Sequence, residues 1–529
     1  MASGGEGRAT LGLTKPVAIE VPQVSFSAKE IDFAEWKGDL LTIAVSEKDI
    51  SKDEDSKFLN SILKKLDGQL NGLLSEVLIE EDFKGKNGQS VVLRLPGFGF
   101  KRLGLVGVSQ STSSSLAAIH REIGEAIAAA AKAAHASSAA IILASTNGIL
   151  DEFKLTVASA ISTGIVLGYY EDNRYKSESK KFYLKSVDII GLGSGPEFDK
   201  KLKYSNAVSS GIIFAKELVN SPANVLTPAI LAEEASKIAS TYSDVFTAKI
   251  LDVEQCTELK MGSYLGVGAA SSNPPHFIHL CYRPPNGDVK TKIAIVGKGL
   301  TFDSGGYNLK VGPACSIDTM KFDMGGSAAA FGAAKVIGQI KPPGVEVHFI
   351  VAACENMISG TGMRPGDIVT ASNGKTIEVN NTDAEGRLTL ADALVYACNL
   401  GVEKIVDLAT LTGACIVALG PSIAGIFTPN DELAKEIAAA SMLTGEKFWR
   451  LPLEESYWES MKSSVADMAN SGGRHGGAIL AALFLKQFVD EKVQWMHIDV
   501  AGPVWNDKKR IATGFGVSTL VEWVLKNSS

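Results

Sequence analysis

The sequence has few cysteines, no long apolar segment and no excess of positive charge, and each absence excludes a class of protein. Its 529 residues include six cysteines without a CxxC pair, which in a chain of this length is typical of reduced thiols and not of a disulfide framework. The longest apolar runs, such as residues 478–485, fall far short of the about 20 residues that a membrane-spanning helix needs. Lys and Arg number 52 against 59 Asp and Glu, a net charge of −7, which argues against nucleic acid or an anionic membrane as the main partner.

Several familiar catalytic patterns are also missing. None of the seven histidines is followed by Glu, and the sequence contains neither a GxSxG nucleophile elbow nor a Walker A loop. His276 and His279 lie in an apolar segment with no acid nearby, so we interpret them as structural residues; the same holds for His497 and Asp499. A catalytic site in this chain would therefore depend on carboxylates and amines.

Composition and apolar patterning predict a two-domain α/β protein. Hydrophobic residues make up 45% and charged residues 21% of the chain, which is ordinary for a globular protein. We expect residues 1–24, which are Gly-rich and lack the apolar stretch of a secretory signal, to form a disordered tail. Residues 25–198 predict a smaller N-terminal α/β domain, and residues 199–220 an amphipathic connecting helix. Residues 221–529 alternate apolar runs with helical segments, which predicts an α/β/α sandwich with a mixed central sheet.

The first segment that could carry chemistry is residues 296–310, VGKGLTFDSGGYNLK. It begins at the end of a predicted buried strand and continues as a Gly-rich loop that contains Lys298, Asp303 and Lys310. Strand ends followed by loops are where α/β sheets place ligands. A buried lysine is costly unless its charge is removed or paired, so Lys298 by itself is better explained as a solvated residue.

The second segment is residues 380–388, NNTDAEGRL, in which Asp383, Glu385 and Arg387 alternate. If the segment is extended, all three side chains point to one side. Two carboxylates held that close repel each other unless cations join them, and one arginine balances only one charge. Asp323 lies in KFDMGG just ahead of a predicted helix, where by itself it would be interpreted as a helix cap.

Considered together, these residues predict a metal centre. Asp303, Asp323, Asp383 and Glu385 carry four negative charges when ionised, and two divalent metals would neutralise them in a standard hydrolytic arrangement. Lys298 could contribute a neutral amine, because a coordinated ligand loses its proton to the adjacent dication.

Three motifs resemble those of a known family. Residues 381–388, NTDAEGRL, resemble the signature of the leucine aminopeptidase family, also called the cytosol aminopeptidases, which are di-metal exopeptidases. VGKGLTFDSGG resembles that family's other metal-site segment, and DMGG at residues 323–326 its third. The resemblance extends over nearly the whole chain and is strongest to the plant enzymes, for example in residues 310–315 and 355–366.

The resemblance implies roles for individual residues. One metal site would use Lys298, Asp303, Asp323 and Glu385, and the other Asp303, Asp383 and Glu385, so that Asp303 and Glu385 bridge the metals. Lys310 and Arg387 match the two catalytic positions, and Arg387 would hold a bicarbonate ion. The substrate would lie against Lys310, Met320, Thr410, Leu411 and Gly413. The expected metals are Mn²⁺ or Zn²⁺, with Mg²⁺ as the alternative.

The resemblance also implies a function. The chain would be a metal-dependent aminopeptidase that releases N-terminal Leu, Met and similar residues from peptides through a water bridging two metals, with Cys-Gly as a further substrate. It would form a homo-hexamer in the cytoplasm, or alternatively in the plastid, and would bind neither nucleic acid nor membrane. Two other interpretations stay open: a chaperone or scaffold role on the same hexamer, and a two-metal phosphoesterase. The lysine ligand and the lack of a basic phosphate-binding cluster disfavour the phosphoesterase.

Overall fold

The computed structural model describes residues 14–17, 22–55, 57–108, 115–146, 149–177, 183–285, 287–311 and 316–528. Its contacts divide the chain into two compact units, one formed mainly by Val17–Ser209 and the other mainly by Ser210–Ser441 and Glu446–Ser529. The division falls inside a long helix, Pro196–Asn220. The predicted disordered tail, residues 1–24, lies mostly outside the described residues, and the predicted domain limits stay a prediction.

The N-terminal unit is a mixed sheet with helices on both faces. Its described strands run in the order β1-β6-β5-β2-β4-β3, and all neighbours are parallel except β3 and β4. The strands are β1 (Ser25–Lys29), β2 (Gly38–Val45), β3 (Ser90–Arg94), β4 (Phe100–Gly107), β5 (Ser138–Leu143) and β6 (Ser186–Ile190). The helices are α1 (Ser61–Gln69), α2 (Leu73–Glu80), α3 (Leu116–Ala133), α4 (Asp151–Tyr169) and, leading out of the unit, α5 (Pro196–Asn220).

Strand β2 shows why this sheet is covered on both sides. Leu40 and Ala44 belong to an apolar cluster with α3 and α4, whereas Leu41 and Ile43 belong to a second cluster with α1 and α2. Side chains alternate between the faces of a strand, so a strand that is apolar throughout must be buried on both faces.

The second unit, formed mainly by Ser210–Ser441 and Glu446–Ser529, contains a larger mixed sheet. Its strands are β7 (Phe246–Leu251), β8 (His276–Tyr282), β9 (Val289–Asp303), β10 (Gly344–Asn356), β13 (Lys404–Ala409), β14 (Ile423–Phe427), β15 (Lys447–Arg450) and β17 (Gln494–Asp499). Short strands outside it are β11 (Ile368–Thr370), β12 (Thr376–Glu378), β16 (Met468–Ala469), β18 (Trp505–Asn506) and β19 (Ile511–Ala512). The helices are α6 (Pro228–Thr241), α7 (Val253–Glu258), α8 (Gly262–Gly268), α9 (Gly325–Ile340), α10 (Gly386–Asn399), α11 (Gly413–Leu419), α12 (Asp431–Thr444), α13 (Gly477–Lys486) and α14 (Val517–Lys526).

The order of strands in this sheet places the ends of four parallel strands together. The order is β15-β14-β17-β13-β9-β10-β8-β7, and the pairs β17–β13, β13–β9 and β9–β10 are parallel. The carboxyl ends of β9, β10 and β17 therefore bring Asp303, Asn356 and Asp499 to one edge, where open α/β sheets bind ligands.

Helices cover both faces of this sheet. Ala294 and Val296 of β9 lie in an apolar cluster with residues of α8, α10 and α13. On the other face, a Cβ added at Gly297 would lie 2.6 Å from Ser327 Cα of α9, so the missing side chain lets α9 approach the sheet closely. The predicted fold class, α/β with a mixed central sheet between helices, is confirmed. Across the described part of the chain, no helix has the length and apolar character required to cross a membrane.

Candidate active site

The predicted metal-site residues converge at the carboxyl edge of the large sheet. Lys298 and Asp303 belong to β9, and Asp323 lies in the turn between the 3-10 helix Ile317–Phe322 and α9. Asp383 and Glu385 lie in the turn that leads into α10. Five separate chain segments therefore contribute to this region when Lys310, in the loop after β9, and Thr410, directly after β13, are included.

An irregularity in β9 turns Asp303 toward the same face as Lys298. Five positions separate these residues, so regular alternation would put their side chains on opposite faces. In the pairing with β10, Leu300 lies opposite Cys354, but Phe302 lies opposite Glu355, so Thr301 is an extra residue on β9. Such a bulge shifts the alternation by one position and can redirect a side chain at an active site. Asp303 consequently faces the α10 side of the sheet with Lys298.

Two ammonium groups pair with the four carboxylates. Lys298 Nζ lies 2.7 Å from Asp323 Oδ2 and 2.8 Å from Glu385 Oε1. Lys310 Nζ lies 2.8 Å from Asp303 Oδ2 and 2.6 Å from Asp383 Oδ1. With all six groups ionised, negative charge exceeds positive charge by two. An excess of buried negative charge is unfavourable unless further cations are present.

Burial and mutual repulsion change the pKa values of these carboxylates. Burial, with the nearby charge of Glu385, raises the pKa of Asp303 to about 6. Burial also raises the pKa of Asp323 and of Asp383. Burial acts in the same direction on Glu385, but the Lys298 and Lys310 ammonium groups outweigh it and hold its pKa below the ordinary value. The two ammonium groups thus do not neutralise the four carboxylates.

The donor atoms fit divalent metal ions. Asp323 Oδ2 and Asp383 Oδ1 are buried and accept no hydrogen bond of good geometry from any described group, although each is close to an ammonium group. One carboxylate oxygen from each of Asp303, Asp383 and Glu385 lies within 4.8 Å of the others. Carboxylate oxygens with one amine suit Mn²⁺, Mg²⁺ or Zn²⁺. The assignment of these residues as ligands stays a prediction.

Two local expectations from the sequence are wrong. The segment with Asp383 and Glu385 is not extended: Asp383 lies in a turn, and Glu385 has helical dihedral angles (φ −78°, ψ −36°) immediately before α10. The two carboxylates are therefore brought together by this turn, and not by the alternation of side chains along a strand. Asp323 is not the N-terminal cap of α9, because α9 begins after Met324 without a side-chain cap. Asp323 Oδ1 instead accepts a hydrogen bond from Thr410 Oγ1 at 2.8 Å.

Arg387 lies in the first turn of α10 and is buried. Its Nη1 donates to the Asn470 carbonyl oxygen at 2.7 Å, whereas its Nε has no hydrogen-bond partner among the described groups. Burial lowers the pKa of Arg387 to about 10, with Glu385 and Asp499 acting in the opposite direction, so the guanidinium is cationic at neutral pH. A buried cation with a free donor fits a small anion.

The predicted substrate-contacting residues lie near this cluster in different ways. The Thr410 carbonyl oxygen accepts a hydrogen bond from Lys298 Nζ at 3.1 Å, and the Leu411 amide donates to Asp499 Oδ1 at 3.2 Å. Met320 is half-buried in a 3-10 helix that contacts β9. Gly413 is exposed at the start of α11. Their contacts with substrate stay a prediction.

Sequence analysis missed two asparagines that hold the site in place. Asn356 Nδ2 donates to Asp303 Oδ1 at 2.8 Å and to the Thr382 carbonyl oxygen at 3.0 Å. Its position at the end of a predicted buried strand could have indicated that Asn356 belongs to the site. Asn470 Nδ2 donates to the carbonyl oxygens of Asn381 and Ala384. No local pattern marks Asn470, because its partners are distant along the chain.

Comparisons with known proteins agree with these observations. The sequence model described as the cytosol aminopeptidase family, catalytic domain, matches residues 213–521, and that family's N-terminal domain matches residues 25–179. Chloroplastic leucine aminopeptidase 2 of Oryza sativa subsp. japonica is 78% identical over 98% of this chain and 87% of its own length. Leucine aminopeptidase 1 of Arabidopsis thaliana is 72% identical over 98% of this chain and 99% of its own. A solved structure of a tomato leucine aminopeptidase mutant, 63% identical, matches with a TM-score of 0.92 over 98% of this chain and 99% of that chain.

Proposed function

The chain belongs to the cytosol aminopeptidase family, and from this premise we propose that two divalent metal ions enable it to release leucine, methionine and similar residues from peptide N-termini. Aminopeptidase activity itself follows from membership of the family. The observation that carries the finer proposal is the group of four carboxylates, three of them buried and Asp383 half-buried, with only two ammonium partners.

The residues available as metal ligands divide into two overlapping sets. Lys298, Asp303, Asp323 and Glu385 would hold one ion, and Asp303, Asp383 and Glu385 the other. The unsatisfied oxygens of Asp323 and Asp383 support this division, as does the short separation between the carboxylates of the second set. When bound, such a pair of metals supplies an activated water and polarises a carbonyl group.

Lys310 would act on the substrate. Its side chain is 14% exposed, compared with 3% for Lys298, so its ammonium group can reach a bound peptide. An ammonium at this position would stabilise negative charge that develops on the carbonyl oxygen. Arg387, with a free Nε donor, would hold a bicarbonate ion through its guanidinium group.

The apolar contacts of the substrate would come from Met320, Thr410, Leu411 and Gly413. An apolar pocket with a few fixed polar groups favours side chains such as Leu and Met. Cys-Gly is a further proposed substrate. No observation on the site or the family favours the chaperone or scaffold alternative.

Compartment and assembly are part of the proposal. Relatives from Oryza sativa and Solanum lycopersicum are named chloroplastic, which supports the plastid in addition to the cytoplasm. A homo-hexamer is proposed from the family resemblance alone.

Hydrolysis of Leu-p-nitroanilide before and after removal of metal tests the proposal. We expect chelation to abolish hydrolysis and Mn²⁺ or Zn²⁺ to restore it, because the carboxylates need both cations. The matched control is N-acetyl-Leu-p-nitroanilide, which lacks the free amine and should not be cleaved. Hydrolysis by protein shown to be metal-free would overturn the metal requirement, and cleavage of the acetylated compound would overturn exopeptidase action.

A further inference from the structure

We propose that the catalytic unit contains a second kind of metal site, in which Cys281, Glu346 and His348 hold one divalent cation of the zinc class. All three residues are buried, and one potential ligand atom from each lies within 4.8 Å of the others. His348 of β10 lies directly opposite Cys281 of β8. Glu346 precedes His348 by two positions, so the three side chains share one face of the sheet.

This site is separate from the active site. Both lie on β10, but the active-site end of that strand is Asn356, which pairs with Asp303. At about 3.3 Å per residue, the strand places His348 about 26 Å from Asn356. No predicted active-site residue belongs to the cluster.

The donor chemistry selects zinc over the harder cations. A thiolate, an imidazole and a carboxylate are ligands that Zn²⁺ takes, whereas Mg²⁺ and Ca²⁺ require oxygen. His348 Nε2 and Glu346 Oε1 are 3.0 Å apart. Two ligand atoms that are each about 2.0 Å from one tetrahedral ion lie about 3.3 Å apart, so these two need to move only slightly. A water molecule would have to supply the fourth ligand of a tetrahedral ion.

Hydrogen bonds behind His348 orient it as a ligand. His348 Nδ1 is 2.9 Å from His279 Nε2, and His279 Nδ1 is 3.2 Å from the Tyr396 hydroxyl. His348 Nε2 lies within hydrogen-bond distance of Glu346 Oε1, and a bound cation would replace the proton between these two atoms while His348 Nδ1 donates to His279. Support of this kind for a ligating histidine is usual at metal sites. Burial lowers the pKa of His348, and it lowers that of His279 to about 4, so both rings are neutral.

The charges around the cluster can adjust to a bound cation. Burial, together with Glu346, raises the pKa of Cys281 to about 11, so the thiol keeps its proton until a metal displaces it to solvent. The resulting thiolate and Glu346 then balance a dication. Arg283 and Lys292 approach Glu346 at 3.0 and 3.7 Å, but their side chains are 69% and 46% exposed and can turn toward water. Lys249, paired with His279 across β7 and β8, is also exposed.

Cobalt spectroscopy of the metal-depleted full chain tests the proposal. Co²⁺ bound to a thiolate produces an intense sulfur-to-cobalt absorption in the near ultraviolet, which the carboxylates and amines of the active site cannot produce. We expect an absorption of the intensity of one thiolate-bound Co²⁺ per subunit, which should disappear on addition of Zn²⁺. Cys281→Ser should abolish it, and His348→Gln should weaken Co²⁺ binding at least about tenfold.

Cys398→Ser is the matched control, because Cys398 is a partly exposed thiol outside the cluster and its loss should leave the absorption intact. Unchanged Leu-p-nitroanilide hydrolysis by Cys281→Ser would show that the variant folds. Metal analysis gives an independent measurement: the wild-type chain should hold one more Zn²⁺ per subunit than Cys281→Ser, and Cys398→Ser should hold as many as the wild-type chain. The proposal is overturned if the wild-type chain lacks the absorption, if the absorption survives in Cys281→Ser, or if the wild-type chain and Cys281→Ser hold the same number of Zn²⁺ ions.

Discussion

At the scale of single residues, the two active-site lysines have similar partners but different freedom. Lys298 is enclosed, since its ammonium contacts Asp323, Glu385 and the Thr410 carbonyl oxygen. Lys310 contacts its carboxylates from a loop and retains some exposure. The enclosed lysine is therefore suited to a fixed ligand position, and the partly exposed one to contact with substrate.

Arg387 allows a direct test of the anion proposed for the site. Arg387→Ala removes the donor that would hold bicarbonate, so we expect kcat to fall roughly 10²-fold or more, the usual contribution of assisted proton transfer. Added bicarbonate should partly restore kcat in the variant. Arg450→Ala is the control, because Arg450 pairs with Asp431 on the surface. Full activity of Arg387→Ala without bicarbonate would contradict the role.

Residue types near the site could be predicted from the sequence, but their contacts could not. The motif NTDAEGRL indicated Asp383, Glu385 and Arg387, and the predicted family is confirmed. Asn470 makes four hydrogen bonds with the segment 380–384, yet nothing in its own sequence neighbourhood indicates this. Contacts between distant parts of a chain depend on the tertiary fold and leave no local periodicity.

At the scale of secondary-structure elements, α10 and β9 pack so closely that no side-chain atom could be added between them. A Cβ added at Gly386, the first residue of α10, would lie 2.4 Å from Lys298 Cε and 2.7 Å from its Nζ. Glycine at this position allows the helix to begin directly against the lysine, and the helix start thereby fixes where the ammonium group lies.

Gly386→Ala should therefore displace Lys298. We expect the variant to lose metal affinity and kcat/KM by at least about tenfold, and to unfold more easily by about 1–3 kcal/mol because the contact is overpacked. Metal analysis, peptide kinetics and urea unfolding measure these effects. Gly68→Ala is the control, since Gly68 is helical with nothing within 4 Å of the added Cβ. Normal metal content and kinetics in Gly386→Ala would show that Lys298 does not need its present position.

Strands and helices were easier to predict than the turns and bulges that set their geometry. The apolar runs of β9, β10, β13 and β17 indicated strands, because only strands buried on both faces are apolar throughout. For the segment before α10, the sequence analysis considered only an extended conformation, and the structure shows a turn. The extra residue in β9 was not predicted. Turns and bulges depend on tertiary pairing that sequence alternation cannot show.

At the scale of the whole molecule, the sequence could not give the order of the strands. Lys298, Thr410 and Asp499 come together because β13 lies beside β9 in the sheet and β17 lies beside β13, although both strands follow β9 by more than a hundred residues in the chain. Alternation of strands and helices indicates the class of fold, but adjacency is decided by packing of the complete chain.

Acid should weaken the N-terminal unit through Asp39. This carboxylate accepts hydrogen bonds from Lys101 Nζ, Ser137 Oγ and the Ser137 amide, which hold its pKa below the ordinary 3.8. A lowered folded-state pKa gives stability above pH 3.8 that is lost as the pH falls through the folded-state value.

Asp39→Asn should consequently lower the free energy of unfolding by about 1 kcal/mol at neutral pH, because its partner Lys101 is exposed and the pair is screened. Urea unfolding at about pH 7 and about pH 2.5 should show this gap shrinking in acid. Asp55→Asn, at a carboxylate whose side chain is 80% exposed, is the control and should match the wild-type chain at both pH values. An equal gap at both pH values would mean that the charge of Asp39 does not contribute.

The extra residue at Thr301 has a consequence for how this chain can change in length during evolution. A single-residue insertion between Lys298 and Asp303 that left the rest of the pairing unchanged would turn one of the two side chains to the wrong face of β9. Removal of Thr301 itself is different, because Leu300, Phe302 and Asp303 would then pair with Cys354, Glu355 and Asn356 in unbroken alternation. The strand thus has one position at which its length can vary without separating the lysine from the aspartate, and descendants with either spacing would share the same site.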